Sequence, residues 1–157
     1  MKYPTKLSDA VHILAFLALH PGASLTSERI AESIQTNPAY VRQLMSALRK
    51  GGLLVSVKGH PRPALAREPE DITLLDAYRA VEGSKPILHQ DTHTNPACGV
   101  GVNIQLVLAD CYQEVQQSAE EKMQEITLAE ILDRYHQKLD RQTLHADQEG
   151  DVIYERT

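Results

Sequence analysis

The chain of 157 residues has no tryptophan, one phenylalanine and only 4% aromatic residues in all. Its core must therefore be built from Leu, Ile, Val and Ala, a composition that suits packed helices. Two cysteines are too few for a disulfide scaffold, so a reducing, cytoplasmic setting is expected. Long apolar runs are also missing. The longest, Ile13 to Leu19, has seven residues, against roughly 20 for a membrane-spanning helix, so no membrane partner is expected. Lys2 and Lys6 precede that run, but Asp9 and His12 break it, as in an amphipathic helix rather than an export signal. No phosphate-binding glycine loop, Gly-x-Ser-x-Gly elbow, dinucleotide fingerprint or His-Glu-x-x-His is found, so an enzyme is not expected. The 42% of hydrophobic residues still suffices for one small domain with an extension.

One further absence carries meaning. Between Glu32 and Glu68 there is no acid, while Arg42, Arg49, Lys50, Lys58, Arg62 and Arg67 fall in that stretch. Residues 1–67 hold nine Lys/Arg against three Asp/Glu; residues 68–157 hold seven against eighteen. The net charge of −5 thus conceals a basic front and an acidic rear. A basic stretch within an acidic protein is the electrostatic footprint of a polyanion site.

Helix signals are plentiful. Ser8 is placed to cap a first helix ending near His20, before Pro21-Gly22. Thr26 caps a second, stapled by Leu25 and Ile30 and ending near Ile34. Asn37-Pro38 reads as an N-cap with proline at the first helical position, and this third helix stops at Gly51-Gly52. Residues 53–57 and 64–67 form two short strands around a proline-rich turn. A fourth helix opens at Ile72-Thr73 and runs to Glu82. Residues 84–100 lack periodicity. From about Gly101 to Gln124 a long helix carries Ile104, Leu108, Cys111, Val115 and Ala119 at three- and four-residue steps, a seam of the kind used between long packed helices. Thr127 and Glu130 make a capping box for a short sixth helix. The fold class is mainly α with a small β-hairpin wing. The organisation predicted is residues 1–83 as a winged helix-turn-helix, 84–100 as a loop, 101–135 as dimerisation helices and 136–157 as a loosely ordered polar tail.

In a winged helix-turn-helix the second helix crosses the DNA backbone and the third enters the major groove. Arg42 suits a two-pronged contact to guanine and Gln43 one to adenine. Tyr40 and Ser46 share the exposed edge. Arg49 and Lys50 suit phosphate, and equally complement the helix dipole. Thr26, Ser27, Thr36 and Asn37 sit at helix starts that can hold phosphate, although Thr26 and Asn37 are caps first. Lys58, His60 and Arg62 stand at the wing tip.

The segments Ser8 to Leu14, Asn37 to Leu44, Leu48 to Leu53 and Ile72 to Glu82 resemble the IscR/NsrR/CymR-type (Rrf2) family of winged-helix transcription regulators. More loosely, the resemblance continues through Asn95-Pro96-Ala97-Cys98 and the long helix. It implies a homodimer joined through that helix and bound to double-stranded DNA at a partly palindromic operator, most simply as a repressor answering a redox or small-molecule signal. Two departures stand out. Pro61 and Pro63 lie where many relatives have a glycine-rich wing. Iron–sulfur members carry three closely spaced cysteines before the long helix, where this chain has Cys98 alone. One loop thiol cannot hold a cluster, so the resemblance is to the cluster-free branch and no cofactor is expected.

Cys98, near a helix start, is the candidate redox-sensing residue; the plainer expectation is a small, half-buried side chain. His89, Asp91, His93 and Cys98 match no compact metal motif. The alternative to a DNA-binding regulator is a winged-helix module that binds only protein.

Overall fold

The computed structural model describes residues 4–56 and 62–154, the last ten of these as backbone alone. Apolar side chains spaced at helical intervals on three short helices meet in one core. Helix α1 (Lys6–Leu19) contributes Ala10, Ile13, Leu14 and Leu17; α2 (Ser27–Ile34) contributes Ile30 and Ala31; α3 (Pro38–Lys50) contributes Val41, Leu44, Met45 and Leu48. Burying the Leu, Ile, Val and Met among them stabilises the fold by about 1.5–3 kcal/mol each, the two alanines by less. Strands β1 (Leu54–Ser56) and β2 (Pro63–Leu65) pair antiparallel, with Leu54 opposite Leu65 and Ser56 opposite Pro63. Leu53 and Leu54 root this hairpin in the core.

The expected caps of α2 and α3 form. Thr26 Oγ1 accepts from the Arg29 N–H (3.2 Å) and Asn37 Oδ1 from the Tyr40 N–H (2.8 Å). The first helix differs: Thr5, not Ser8, is its N-cap residue, and Ser8 lies inside the first turn. Both are cap-type residues, and here the Thr5 hydroxyl donates to Asp9 Oδ2 (3.2 Å) instead of capping the backbone.

A 3₁₀ turn (Pro69–Asp71) leads to α4 (Leu74–Glu82), whose capping box joins Thr73 and Asp76. Helix α5 (Gly99–Glu125) is long, and no side chain along it is buried. Helix α6 begins at Leu128, and the backbone beside it joins that of α4: the Leu74 N–H donates to the Ile126 carbonyl (2.8 Å) and the Leu128 N–H to the Ile72 carbonyl (2.7 Å). Leu128 is thereby buried in the same core as α1 to α3. The expected polar tail is instead a continuation of α6 to Tyr154. No proline follows Pro96 to interrupt the helix, and within the tail the Thr143 hydroxyl donates to the Leu139 carbonyl one turn back (3.1 Å).

Candidate nucleic-acid interface

Three residues, Gln35 to Asn37, connect α2 to α3. Gln35 takes a left-handed conformation (φ 59°) and the Thr36 N–H returns to the Ala31 carbonyl (2.9 Å). This tight corner closes the C-terminal end of α2 and turns the chain into α3, whose start faces that of α1. Because Val41, Leu44, Met45 and Leu48 face the core, Ala39, Arg42, Gln43, Arg49 and Lys50 must face outward, and they are exposed. Ser46 is half-buried.

Thr36, Asn37, Tyr40 and Gln43 border one groove of about 850 Å³ with the beginning of α1. Thr26 and Thr36 border a shallower hollow with Arg29, and Gln43, Ser46 and Lys50 a third with Arg79. Ser27 is the first residue of α2 and half-buried. Arg62 is exposed at the foot of β2, whereas Lys58 and His60 lie outside the described residues. Arg29 and Arg79 were not singled out from the sequence. Arg29 sits three residues beyond the Thr26 cap, and that position was the available signal for it; Arg79 joins the face only through the packing of α4 on α3.

Several of these side chains are already engaged. Arg42 Nη1 lies 3.4 Å from Glu28 Oε1, in an exposed pair between α3 and α2. Tyr40 is not a free surface side chain: its ring packs against the core and its hydroxyl donates to Asp9 Oδ2 (3.1 Å). Burial, then the hydrogen bond and charge of Asp9, push the Tyr40 phenol above its ordinary pKa, so it remains a donor. His12 bonds Ser33 Oγ (2.9 Å), tying α1 to α2. Arg67, counted in the basic stretch, stays exposed but is engaged by Asp76 Oδ2 (3.4 Å) and the Asp71 carbonyl (3.4 Å). It is a structural tie, not part of the cationic face.

Helix α5 has two working sides. Gln105, Ala109, Tyr112, Gln116 and Glu120 are half-buried and face the chain's own α4 and the loop before α5. Roughly 130° around the helix, Ile104 (46%), Cys111 and Val115 (47%) are exposed, joined by Val107 (56%), which the seam had omitted. Leu108 and Ala119 are half-buried at the boundary between the two sides. Cys98 is the N-cap residue of α5, exposed and unbonded to sulfur, not half-buried as the plainer expectation held. Cys111 is also free.

The family model described as "Rrf2: Iron-dependent Transcriptional regulator" matches residues 3–134. The chain is similar to YwnA of Bacillus subtilis, named as an HTH-type transcriptional regulator. The two are 35% identical over 128 residues, taking in 82% of this chain and 95% of that one. It is also similar to the solved structure of T. potens IscR, at 32% identity and TM-score 0.59, covering 86% of this chain and 88% of that chain. The structure of CymR, the global cysteine regulator of B. subtilis, shares the fold at 24% identity and TM-score 0.60, over 83% of this chain and 95% of that one.

Among the described residues, the iron in the family description finds no matching donor set. The loop offers one thiol, Cys98, and the other, Cys111, stands thirteen residues on, along α5. Asp91 and His93 approach each other only at 3.8 Å on an open surface. Among the described residues, no three His, Cys, Asp or Glu side chains are grouped to hold a metal ion. No described helix is long and apolar enough to cross a membrane. The matched model, the relatives and the shared winged-helix architecture identify the chain as a member of the Rrf2 family, a family of transcriptional regulators and not of enzymes.

Proposed function

We propose that the chain binds duplex DNA as a homodimer and represses transcription from a partly palindromic operator in response to a redox or small-molecule signal. The observation that carries this reading is the uncovered outer edge of α3, where Ala39, Arg42, Gln43 and Lys50 are exposed beside a capped helix start. Arg42 and Gln43 read base edges, each good two-pronged contact being worth about 1–3 kcal/mol of discrimination. Asn37, Thr36, Thr26 and Ser27 hold phosphate at the starts of α3 and α2. Arg29, Arg49, Lys50 and Arg62 neutralise further phosphates.

Dimerisation uses the exposed apolar edge of α5, with Ile104, Val107, Cys111 and Val115 against the same residues of a second copy. Two α3 helices then address half-sites about 34–36 Å apart. Repression follows from an occupied operator excluding other proteins from the same stretch of duplex.

Selection of genomic fragments by the purified protein, at low and moderate salt and with or without oxidant, tests this. Enrichment of a site with twofold symmetry, lost steeply as salt rises, is the expected result. No retained fragment at low salt would leave the winged helix as a protein-binding module.

A further inference from the structure

The loop before α5 and the side of α5 beneath it border an open pocket of about 510 Å³, within the range of roughly 300–1,000 Å³ typical of small-molecule sites. Neither the outer edge of α3 nor the exposed edge of α5 contributes to it. Pro86 and Leu88 from the loop and Ala109 from the helix give it apolar walls; Gln113 and Gln116 carry carboxamides into its lining. Tyr112 and His89 add flat rings. Among the described residues, no Asp, Glu, Lys or Arg lines it. One turn before Ala109, on the same side of the helix, the buried Gln105 Oε1 has no hydrogen-bond partner. The loop lies against that turn too, because Gln90 Nε2 donates to the Gln105 carbonyl. An unsatisfied buried acceptor is uncommon and marks a packing left incomplete.

We propose that this pocket is an effector site for a small uncharged ring compound with carbonyl and N–H groups on its edge, and that Gln116 passes its occupancy to the DNA-binding helices, an inference that rests on the DNA-binding reading above. Glutamine carboxamides present a donor and an acceptor together and so match such an edge. Flat side chains stack on the ring, and a lining without fixed charge does not offset the desolvation of an ionic ligand.

The coupling is local. Gln116 Oε1 accepts from the Ile87 N–H (2.9 Å), while its Nε2 donates to Tyr78 Oη (3.5 Å) and Glu120 Oε1 (3.4 Å). Tyr78, buried on α4, also donates to the Lys85 carbonyl at the beginning of the loop. Two residues along α4, Ala80 abuts the end of α3 so closely that a Cβ on Gly51 would lie 2.8 Å from its own Cβ. A ligand that takes the Gln116 carboxamide releases the loop, α4 or both, and α4 cannot shift without moving α3.

Two matched pairs of probes test the site: nicotinamide against nicotinate, and uracil against orotate. Backbone and glutamine side-chain amide shifts are followed by NMR, and DNA affinity by fluorescence anisotropy. The neutral member of at least one pair is expected to shift Ile87, Leu88 and Gln113 and to change the DNA dissociation constant by about fivefold or more. Which pair responds distinguishes a pyridine carboxamide from a pyrimidine.

Ala109→Phe, which fills the pocket, and Gln113→Leu, which leaves the described hydrogen bonds intact, are each expected to weaken the shifts. Tyr78→Phe is expected to keep ligand affinity within about twofold while abolishing the effect on DNA. Neutral probes that cause no shifts up to about 10 mM, or charged partners that bind equally well, would overturn the proposal. Ligand shifts in a protein that retains no DNA would leave the pocket standing and remove the DNA-binding reading instead.

Discussion

Arg42 of α3 and Glu28 of α2 form an ion pair at 3.4 Å across the face that α3 turns outward. The side chain best suited to guanine is therefore held by an acid before any DNA arrives. Both groups are exposed, so the pair itself contributes only about 0–1 kcal/mol. On the DNA-binding reading proposed above, Glu28 costs more than that pair: it must surrender Arg42 and then stand near phosphate.

Glu28→Gln is accordingly expected to tighten binding to all duplexes by about two- to fivefold. It also costs the fold about 0.3–1 kcal/mol, because an acid is lost from the first turn of α2. Arg42→Ala is expected to relax base preference at one operator position, at about 1–3 kcal/mol. Anisotropy titrations on matched and mismatched duplexes measure both. Equal losses for Arg42→Ala on every sequence would remove it from base reading.

The bond from Tyr40 Oη to Asp9 Oδ2 ties α3 to α1, 31 residues apart in sequence. Its loss in Tyr40→Phe is expected to cost about 0.5–1.5 kcal/mol near neutral pH. Burial and Asp9 raise the phenol's pKa in the folded state. Its stabilising contribution is therefore complete below the unfolded value of about 10 and fades as pH rises through the higher folded value. Urea unfolding at pH 8 and at pH 11 is expected to show a larger alkaline loss for the native chain than for Tyr40→Phe. Parallel loss in the two proteins would contradict the assignment.

The parts of the fold readable in the sequence are those fixed by local chemistry. Thr26 and Asn37-Pro38 announce α2 and α3 because capping is decided within three residues. Thr5 and Ser8 are both cap-type residues, and α1 starts after Thr5 without a side-chain cap, so residue type alone could not place its start. The length of α6 was hidden because an apolar stripe was the signal sought, and its polar second half offers none.

The pairs that shape the basic half were beyond periodicity altogether. Arg42 meets Glu28 only once α2 and α3 have packed, and Arg67 meets Asp76 only once the segment after β2 lies beside the start of α4. For the same reason the basic stretch overstated the cationic face, since it counted Arg67 as free. Exposure of Cys98 was equally undecidable, since a loop residue's burial depends on what the loop lies against.

Gly51 follows α3 with φ −76°, a conformation open to any residue. Its need for glycine is steric, since a Cβ there would approach Ala80 Cβ to 2.8 Å. Gly51→Ala is expected to destabilise the fold by about 1–3 kcal/mol through overpacking. Ala80→Gly in the same chain is expected to recover most of that loss, relative to Ala80→Gly alone. A double-mutant cycle by urea unfolding reads the coupling. Additive losses would mean that α3 and α4 are not in the contact described.

Val115 and Ile104 are exposed on α5 yet apolar, at the two ends of the edge assigned to a second copy. In a lone protomer neither contributes to the core, so Val115→Asp is expected to leave the folded unit within about 0.5 kcal/mol of its original stability. In the dimer it places two carboxylates in an apolar seam, a burial that costs several kcal/mol unless each charge finds a partner. Light scattering is expected to find a dimer for the native chain and a monomer for Val115→Asp at micromolar concentration. Operator affinity should fall with it, because each α3 then binds its half-site alone and loses the effective concentration supplied by its mate. A native chain that is monomeric, or a variant that still pairs, would move the twofold contact off this edge and with it the predicted half-site spacing.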